Sequence, residues 1–372
     1  MATTAEYLNK LVDQKNTLAD NLVTKGVDAT HDETLETLVP KVLEISSGGG
    51  GGNGIYPIGK DGRPEGDVIV PEGVTSLYQY IFRNNSNVST VLLPESLEKF
   101  DGYCFDNCSG LKEISIPNNV TVISDRCFYN CSGLTKITLP VGINRIETYA
   151  FQGCSNLSEI NIPDGTLYDI KTDAFSSSGV TNDCVKNIVS HANSIGNYIF
   201  RSCLSLTDVE VNVFSDYMFA HCTNLISAKS TQATTCGTSV FYGCTNLTTA
   251  SLADGITNIG VQIFYGCTSL KTVYLPSSIT TASASCLTIS NANYIFYNCT
   301  ALEDVQLGQD WNMSLRLNVS NNLTVNCMVG IFNNLKDLTG ETAKTLTLGS
   351  ANILKLTDEQ RAIAINKNWT LA

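Results

Sequence analysis

The chain has 372 residues, of which 43% are apolar and only 16% are charged, and its formal net charge is −12. This acidic balance argues against nucleic acid as a partner, because phosphate binding is driven by Lys and Arg, and against an anionic membrane surface. The sequence has no run of 18 apolar residues, so we expect no membrane-inserted helix. Residues 1–20 lack the basic and apolar segments of an ordinary signal peptide, so we expect none.

Residues 1–46 are predicted to form a short helical module. Residues 5–25 have a short a/d seam with alternating spacings of three and four residues. Its positions are Leu8, Leu11, Leu18 and Leu22, with Lys15 at the position between Leu11 and Leu18. Residues 34–45 carry a second apolar face, which Pro40 interrupts. Two interpretations stay open: a helical hairpin that packs on itself, or a docking and homo-oligomerisation module. The glycine-rich residues 47–54 predict a flexible linker.

An internal repeat occupies residues 55–312. Its unit has the pattern F-x-x-C-x-x-L-x-x-I-x-I-P and is most regular after Phe105, Phe128 and Phe151, which are spaced 23 residues apart. Ten phenylalanines mark ten units: Phe82, Phe105, Phe128, Phe151, Phe175, Phe200, Phe219, Phe241, Phe264 and Phe296. Phe332 is predicted to mark a degenerate eleventh unit.

The I-x-I segment of each unit alternates as a half-buried strand does. The proline that follows ends the strand, because proline lacks the N–H that a sheet requires. A unit this short cannot bury its apolar face alone, but it can do so when it stacks on its neighbours. The pattern is lost at residues 176–195 and around an insertion at residues 277–295, so the continuity of the strands stays open there.

Eight cysteines occupy one position of the unit: Cys108, Cys131, Cys154, Cys203, Cys222, Cys244, Cys267 and Cys299. We expect them to be small buried apolar residues, although stacked units also bring them within disulfide distance. Cys104 with Cys108 and Cys127 with Cys131 form C-x3-C pairs. No histidine accompanies these pairs, so we predict no metal site.

Residues 313–372 are predicted to cap the repeats. Alternation on both sides of Ser320-Asn321-Asn322 predicts a hairpin over 315–325. The sequence Thr357-Asp358-Glu359-Gln360 is a capping-box pattern that begins a final helix running toward Lys367. Trp369 and Leu371 are expected to close the last repeat.

The repeats at residues 68–308 resemble the BspA-like subfamily of leucine-rich repeats, whose units share the C/N-x-x-L-x-x-I-x-L-P signature. The resemblance implies an α/β repeat fold, a curved leucine-rich-repeat solenoid with a parallel strand ladder, and a non-enzymatic binding role. Residues 1–46 resemble short leader modules on phage and prophage tail-associated proteins of Gram-positive bacteria.

Two rows of outward side chains are candidate binding residues. One row lies on the predicted strands and includes Glu159, Asp208, Glu210 and Tyr274; an ordinary solvated sheet face is the alternative. The other row directly follows the repeat phenylalanines and includes Tyr129, Tyr242, Tyr265 and Tyr297. Exposed tyrosines in a row supply rigid amphipathic contact area.

No catalytic motif accompanies the three histidines, His31, His191 and His221, so we expect neither enzymatic activity nor a cofactor. The leading hypothesis is a phage or prophage tail-associated protein that recognises a bacterial surface protein or polysaccharide. The alternative is a secreted or cell-surface bacterial adhesin that binds host or neighbour-cell proteins. The expected location is accordingly the virion, the extracellular space or the cell surface.

Overall fold

The computed structural model describes residues 66–165, 168–282 and 295–372, together with the helical residues Lys15 and Asn16. The predicted linker and almost all of the N-terminal module lie outside these ranges, as does Cys286. The elements, in chain order, are β1 Gly66–Ile69, β2 Ser76–Leu77, β3 Val88–Leu92, β4 Lys99–Phe100, β5 Glu113–Ser115, β6 Val122–Ile123, β7 Lys136–Thr138, β8 Arg145–Ile146, β9 Glu159–Asn161, β10 Tyr168–Ile170, α1 Asn182–Ser190, β11 Ala192–Ile195, β12 Asp208–Val211, β13 Ser227–Ser230, β14 Thr235–Cys236, β15 Thr249–Ser251, β16 Asn258–Ile259, β17 Thr272–Leu275, β18 Thr281–Ala282, β19 Asp304–Leu307, β20 Leu315–Arg316, α2 Val325–Asn334, β21 Lys344–Thr347, α3 Ser350–Ile353, α4 Asp358–Ile365 and β22 Trp369–Leu371.

The I-x-I segments form a parallel strand ladder, which confirms the predicted solenoid. It consists of two five-stranded sheets, in the orders β1-β3-β5-β7-β9 and β12-β13-β15-β17-β19. Equivalent residues of successive repeats pair in register, as Ile114 does with Ile137 and Ile137 with Ile160. Val273 of β17 pairs directly with Val305 of β19, so the insertion leaves this first ladder continuous.

A second parallel ladder runs along the return half of the repeats. It comprises the sheets β2-β4, β6-β8-β10-β11 and β14-β16-β18. Its strands are two to four residues long, and most of those with two residues bury one core residue, as Ile123 and Ile146 do. These strands were not predicted, because a two-residue strand is too short to show alternation in the sequence.

The ten repeat phenylalanines form one buried column between the two ladders. Consecutive rings stack with their centroids 4.8 to 6.1 Å apart. The Phe105 N–H donates to the carbonyl of Cys127, which precedes the next phenylalanine, and the bond recurs from repeat to repeat. It continues through the irregular unit, from Phe175 to Ile199, and past the insertion, from Phe264 to Ile295.

The eight repeat cysteines form a second buried column beside the phenylalanines. Each Sγ donates to the carbonyl of a phenylalanine, and every distance lies between 2.7 and 3.2 Å; the pairs begin with Cys108 to Phe82 and end with Cys299 to Phe264. In the irregular unit Ser178 takes the cysteine position and is also buried. The thirteen described cysteines are all buried, and none of them forms a disulfide, as expected of small apolar core residues.

Helix α1 replaces a strand of the first ladder between β9 and β12. Thr181 caps it by accepting from the Cys184 N–H, and Cys184, Val185, Ile188 and Val189 face the core. Helix α2 follows the last strand of the second sheet and has the same pattern: Thr324 caps it, and Cys327, Met328, Ile331 and Phe332 are buried. Each five-stranded run is therefore followed by a helix with the motif T-x-x-C and the same apolar spacing.

The structure corrects two predictions near the C-terminus. Residues 315–325 are not a hairpin, because β20 pairs in parallel with β21, about thirty residues further on. Ser320, the predicted turn residue, is buried and donates to the carbonyls of Thr300 and Leu302 in the preceding repeat. Phe332 lies in α2 and marks no eleventh repeat.

The other C-terminal predictions are confirmed in their local structure. Thr357 and Gln360 form the capping box that begins α4, and the buried Trp369 lies on β22, which pairs with β21. Lys367 donates through Nζ to the carbonyls of Phe332, Asn333 and Leu335 and so satisfies the end of α2.

The Phe175→Ala variant should lose about 3–5 kcal/mol of unfolding free energy, because it leaves a cavity in the part of the core that bridges the two strand runs. Urea denaturation monitored by circular dichroism measures this loss. The Val141→Ala variant is the matched control, since Val141 is 64% exposed. A loss below about 1 kcal/mol for Phe175→Ala would show that the column is not what holds the repeats together.

Alkaline pH should destabilise the fold through the cysteine column. Burial raises the pKa of Cys203 from its ordinary value of 9.0 to about 11. The folded state therefore keeps a proton that the unfolded state releases, so stability is intact below pH 9 and falls as the pH rises toward about 11, by about 1.4 kcal/mol per pH unit for each such thiol. Urea midpoints across this range test the expectation, and an unchanged midpoint would contradict it. The Cys203→Ser variant keeps the donor and should show a shallower fall.

Candidate binding surfaces

Three of the predicted tyrosines form a stacked column near the C-terminal end of the repeats. The Tyr242 and Tyr265 ring centroids are 4.7 Å apart, and those of Tyr265 and Tyr297 are also 4.7 Å apart, with interplanar angles of 5° and 16°. Each tyrosine directly follows a phenylalanine of the buried column, so the inner stack sets the spacing of the outer one. Tyr297 is 39% exposed, and the other two rings are half-buried.

The stacking decides what this tyrosine column can offer a ligand. Tyr265 has a neighbouring ring on each face, so ring edges and hydroxyls point outward instead of free faces. Desolvation and the adjacent phenols raise the pKa of Tyr265. A phenol hydroxyl can both donate and accept a hydrogen bond. At the other end His221 meets Tyr242 edge-on at 5.3 Å. The result is a rigid apolar strip edged by hydroxyl groups.

Tyr129 does not belong to the tyrosine column. The residues at its position in the neighbouring repeats are Asp106 and Gln152, so no ring stacks on it there. In the repeats around Tyr129, tyrosines lie instead two positions before the phenylalanine. Arg126 holds this position between Tyr103 and Tyr149, and its guanidinium lies 5.2 Å from the Tyr103 ring and 4.3 Å from the Tyr149 ring.

A second set of tyrosines, which was not among the predicted binding residues, lies along the repeats. Five repeats carry a tyrosine two positions before the phenylalanine, which is a visible signal: Tyr80, Tyr103, Tyr149, Tyr198 and Tyr217. All five adopt positive φ, between 55° and 67°. Non-glycine residues rarely adopt this conformation, so a tyrosine at this position would not be recognised from the sequence as a turn residue.

The predicted strand residues lie on the first ladder, and their charges are largely paired within it. Glu159 binds Lys136 at 2.6 Å, and Glu210 binds Lys229 at 3.2 Å.

The remaining two predicted strand residues also have partners. Asp208 accepts a hydrogen bond from the Ser227 hydroxyl. The Tyr274 hydroxyl donates to Asp254 at 2.6 Å, and this bond raises the pKa of Tyr274 to about 12. A ligand on this face would have to compete with these partners, whereas the tyrosine column offers hydroxyls at its edge.

The described ranges contain no group of three or more His, Cys, Asp or Glu side chains that could hold a metal ion. In the same ranges, none of the helices has the length and apolar character needed to cross a membrane. His191 lies at the C-terminus of α1 with Nδ1 2.8 Å from the Asn187 carbonyl, far along the chain from His221. His31 lies outside the described residues.

Several solved structures are similar to this chain at low identity. A leucine-rich repeat protein from Bacteroides ovatus is 21% identical, with 64% of this chain and 78% of that chain covered and a TM-score of 0.42. A leucine-rich cell surface protein from Faecalibacterium prausnitzii is 19% identical, with 70% and 94% covered and a TM-score of 0.36. The pneumococcal vaccine antigen PcpA is 16% identical, with 86% and 92% covered and a TM-score of 0.43.

A comparison with curated proteins gives no match. The sequence profile of the family described as "BspA type Leucine rich repeat region (6 copies)" matches residues 66–182, 181–293 and 237–325. Together these segments span well over half of the chain and coincide with the two strand ladders. The chain therefore belongs to the BspA-type leucine-rich repeat family.

Proposed function

We propose that this protein is a non-enzymatic binding scaffold that recognises a protein or polysaccharide on a bacterial surface through the tyrosine column. The observation that carries the proposal is the stacking of Tyr242, Tyr265 and Tyr297 at 4.7 Å in three consecutive repeats. Neighbouring rings already restrict these side chains. Binding therefore costs little additional conformational entropy, and this is the advantage of rigid aromatic contacts.

The electrostatics of the solenoid support the same choice of surface. On the first ladder the carboxylates Glu159 and Glu210 already have lysine partners, and exposed ion pairs of this kind contribute little free energy to recognition. The tyrosine column carries no formal charge, so an apolar or hydroxyl-rich ligand can bind there without the desolvation cost of an ion.

We further propose that the scaffold is carried by a phage or prophage tail, where residues 1–46 dock or oligomerise. The support is the resemblance of that segment to leader modules of tail-associated proteins, together with the glycine-rich sequence of residues 47–54 between it and the repeats. The alternative carrier is the bacterial cell itself, with the protein acting as a secreted or surface adhesin. Both carriers use the same binding surface.

The Tyr265→Ala variant should bind intact Gram-positive cells at least about tenfold more weakly, because it removes the central ring and unstacks both neighbours. Flow cytometry with the fluorescently labelled full chain measures the binding. Tyr129→Ala is the matched control, since Tyr129 holds the same repeat position outside the column. Unchanged binding by a folded Tyr265→Ala variant would rule out the column as the recognition surface.

The location of the protein after lysis separates the two carriers. If a phage tail carries it, an antibody to residues 68–308 should detect it in particles sedimented from an induced lysate. Detection only on intact cells, or in the medium of an unlysed culture, would contradict the tail assignment and favour the adhesin.

A further inference from the structure

The second ladder differs in chemistry between its two halves. In the N-terminal half, ion pairs flank three core residues, Phe100, Ile146 and Ile170: Lys99 with Asp101 at 3.3 Å, Arg145 with Glu147 at 2.6 Å, and Lys171 with Asp169 at 3.6 Å. In the C-terminal half, the residues that follow the core residues are small: Gly196, Ser215, Gly237 and Gly260. Charged side chains therefore cover much of the second ladder in its N-terminal half, whereas small residues leave space above the strands in its C-terminal half.

The open half is a groove of about 580 Å³. Its walls are polar side chains, namely Asn197, Asp216, Thr235, Thr238 and Asn258. The core residues Phe214, Cys236 and Ile259 also line it, and beside them the strand connections approach each other too closely for side chains. A Cβ on Gly237 would lie 2.7 Å from the Asp216 nitrogen, and one on Gly260 would lie 2.5 Å from the Thr238 nitrogen. The groove is thus imposed by the stacking of successive repeats.

The lining groups indicate the chemistry of a ligand. Two amides and two hydroxyls can both donate and accept hydrogen bonds, and neither lysine nor arginine lines the groove. The one carboxylate, Asp216, accepts from the Thr238 N–H at 2.7 Å. A phosphate or carboxylate ligand would find no cation here and would meet this negative charge. A neutral ligand rich in hydroxyls matches the lining.

Two of the groove residues are each followed in the sequence by a tyrosine. Tyr198 and Tyr217 directly follow the wall residues Asn197 and Asp216, and their rings stack with centroids 4.5 Å apart. Successive strands of a ladder advance by about 4.8 Å, which is close to the length of one pyranose unit. A linear saccharide lying along the solenoid axis would therefore meet a similar set of polar groups at each repeat.

We propose that this groove binds a neutral oligosaccharide chain. The inference rests on the proposed binding function, but it uses a different surface from the tyrosine column. Sugar hydroxyls exchange hydrogen bonds with Asn197, Asn258, Thr235 and Thr238, and the open floor lets the chain pass from one repeat to the next.

The test is binding of the full chain to an array of immobilised neutral and acidic oligosaccharides. In the Thr235→Trp variant an indole fills the groove at an exposed position, without disturbing the buried glycines. Val122→Trp is the matched control, because Val122 holds the same place on the second ladder outside the groove. Circular dichroism establishes that both variants fold, and Tyr265→Ala is measured in parallel.

The expected result is binding to neutral and not to acidic glycans, weakened at least about tenfold by Thr235→Trp and unchanged by Val122→Trp and Tyr265→Ala. Binding to no neutral glycan, or equal binding by Thr235→Trp and the wild type, overturns the inference. Attachment to cells is measured with the same variants, so that the two proposals can fail separately. If Thr235→Trp leaves glycan binding unchanged while Tyr265→Ala weakens attachment to cells, the groove proposal fails and the proposed function stands. If Thr235→Trp does not change glycan binding and Tyr265→Ala does not change attachment, both fail.

Discussion

Stacking of the repeat phenylalanines is the interaction on which the rest of this molecule depends. Both parallel ladders have interruptions, yet the column of rings runs from Phe82 to Phe296 through every repeat. The ring spacing is close to the separation of neighbouring strands, so the column fixes the rise of the repeats where strands are absent. The buried thiols bind the phenylalanine carbonyls, and the outer tyrosines take their spacing from the same rings.

The periodic parts of this structure could be predicted from the sequence, and the departures from the period could not. Phe, Cys and Leu recur at fixed positions, and those positions predict the core, the first ladder and the place of Tyr242, Tyr265 and Tyr297. Helix α1 was missed because the sequence lacks the Cys–Leu signature there. The signal that could have located it is the T-x-x-C motif at Thr181, which recurs at Thr324.

Surfaces were harder to predict than the core for a physical reason. The hairpin at 315–325 fits local alternation, but β20 pairs with β21 through contacts between distant residues. The groove depends on Gly237 and Gly260 standing on adjacent strand connections. In the sequence alone each is only a turn glycine. The tyrosines at positive φ are a similar case, since the stacked repeats hold them in a conformation that local preference disfavours.

Helix α1 also affects the direction of the solenoid axis. A helix is about 10 Å across, whereas a strand occupies about 4.8 Å of a ladder, so the first-ladder side is widened at this repeat. The phenylalanine column shows this widening. The Phe175 and Phe200 rings have the largest centroid spacing in the column, 6.1 Å, and their planes are tilted by 25°. The faces before and after α1 consequently point in different directions. A single rigid ligand surface therefore cannot lie flat against both strand runs at once.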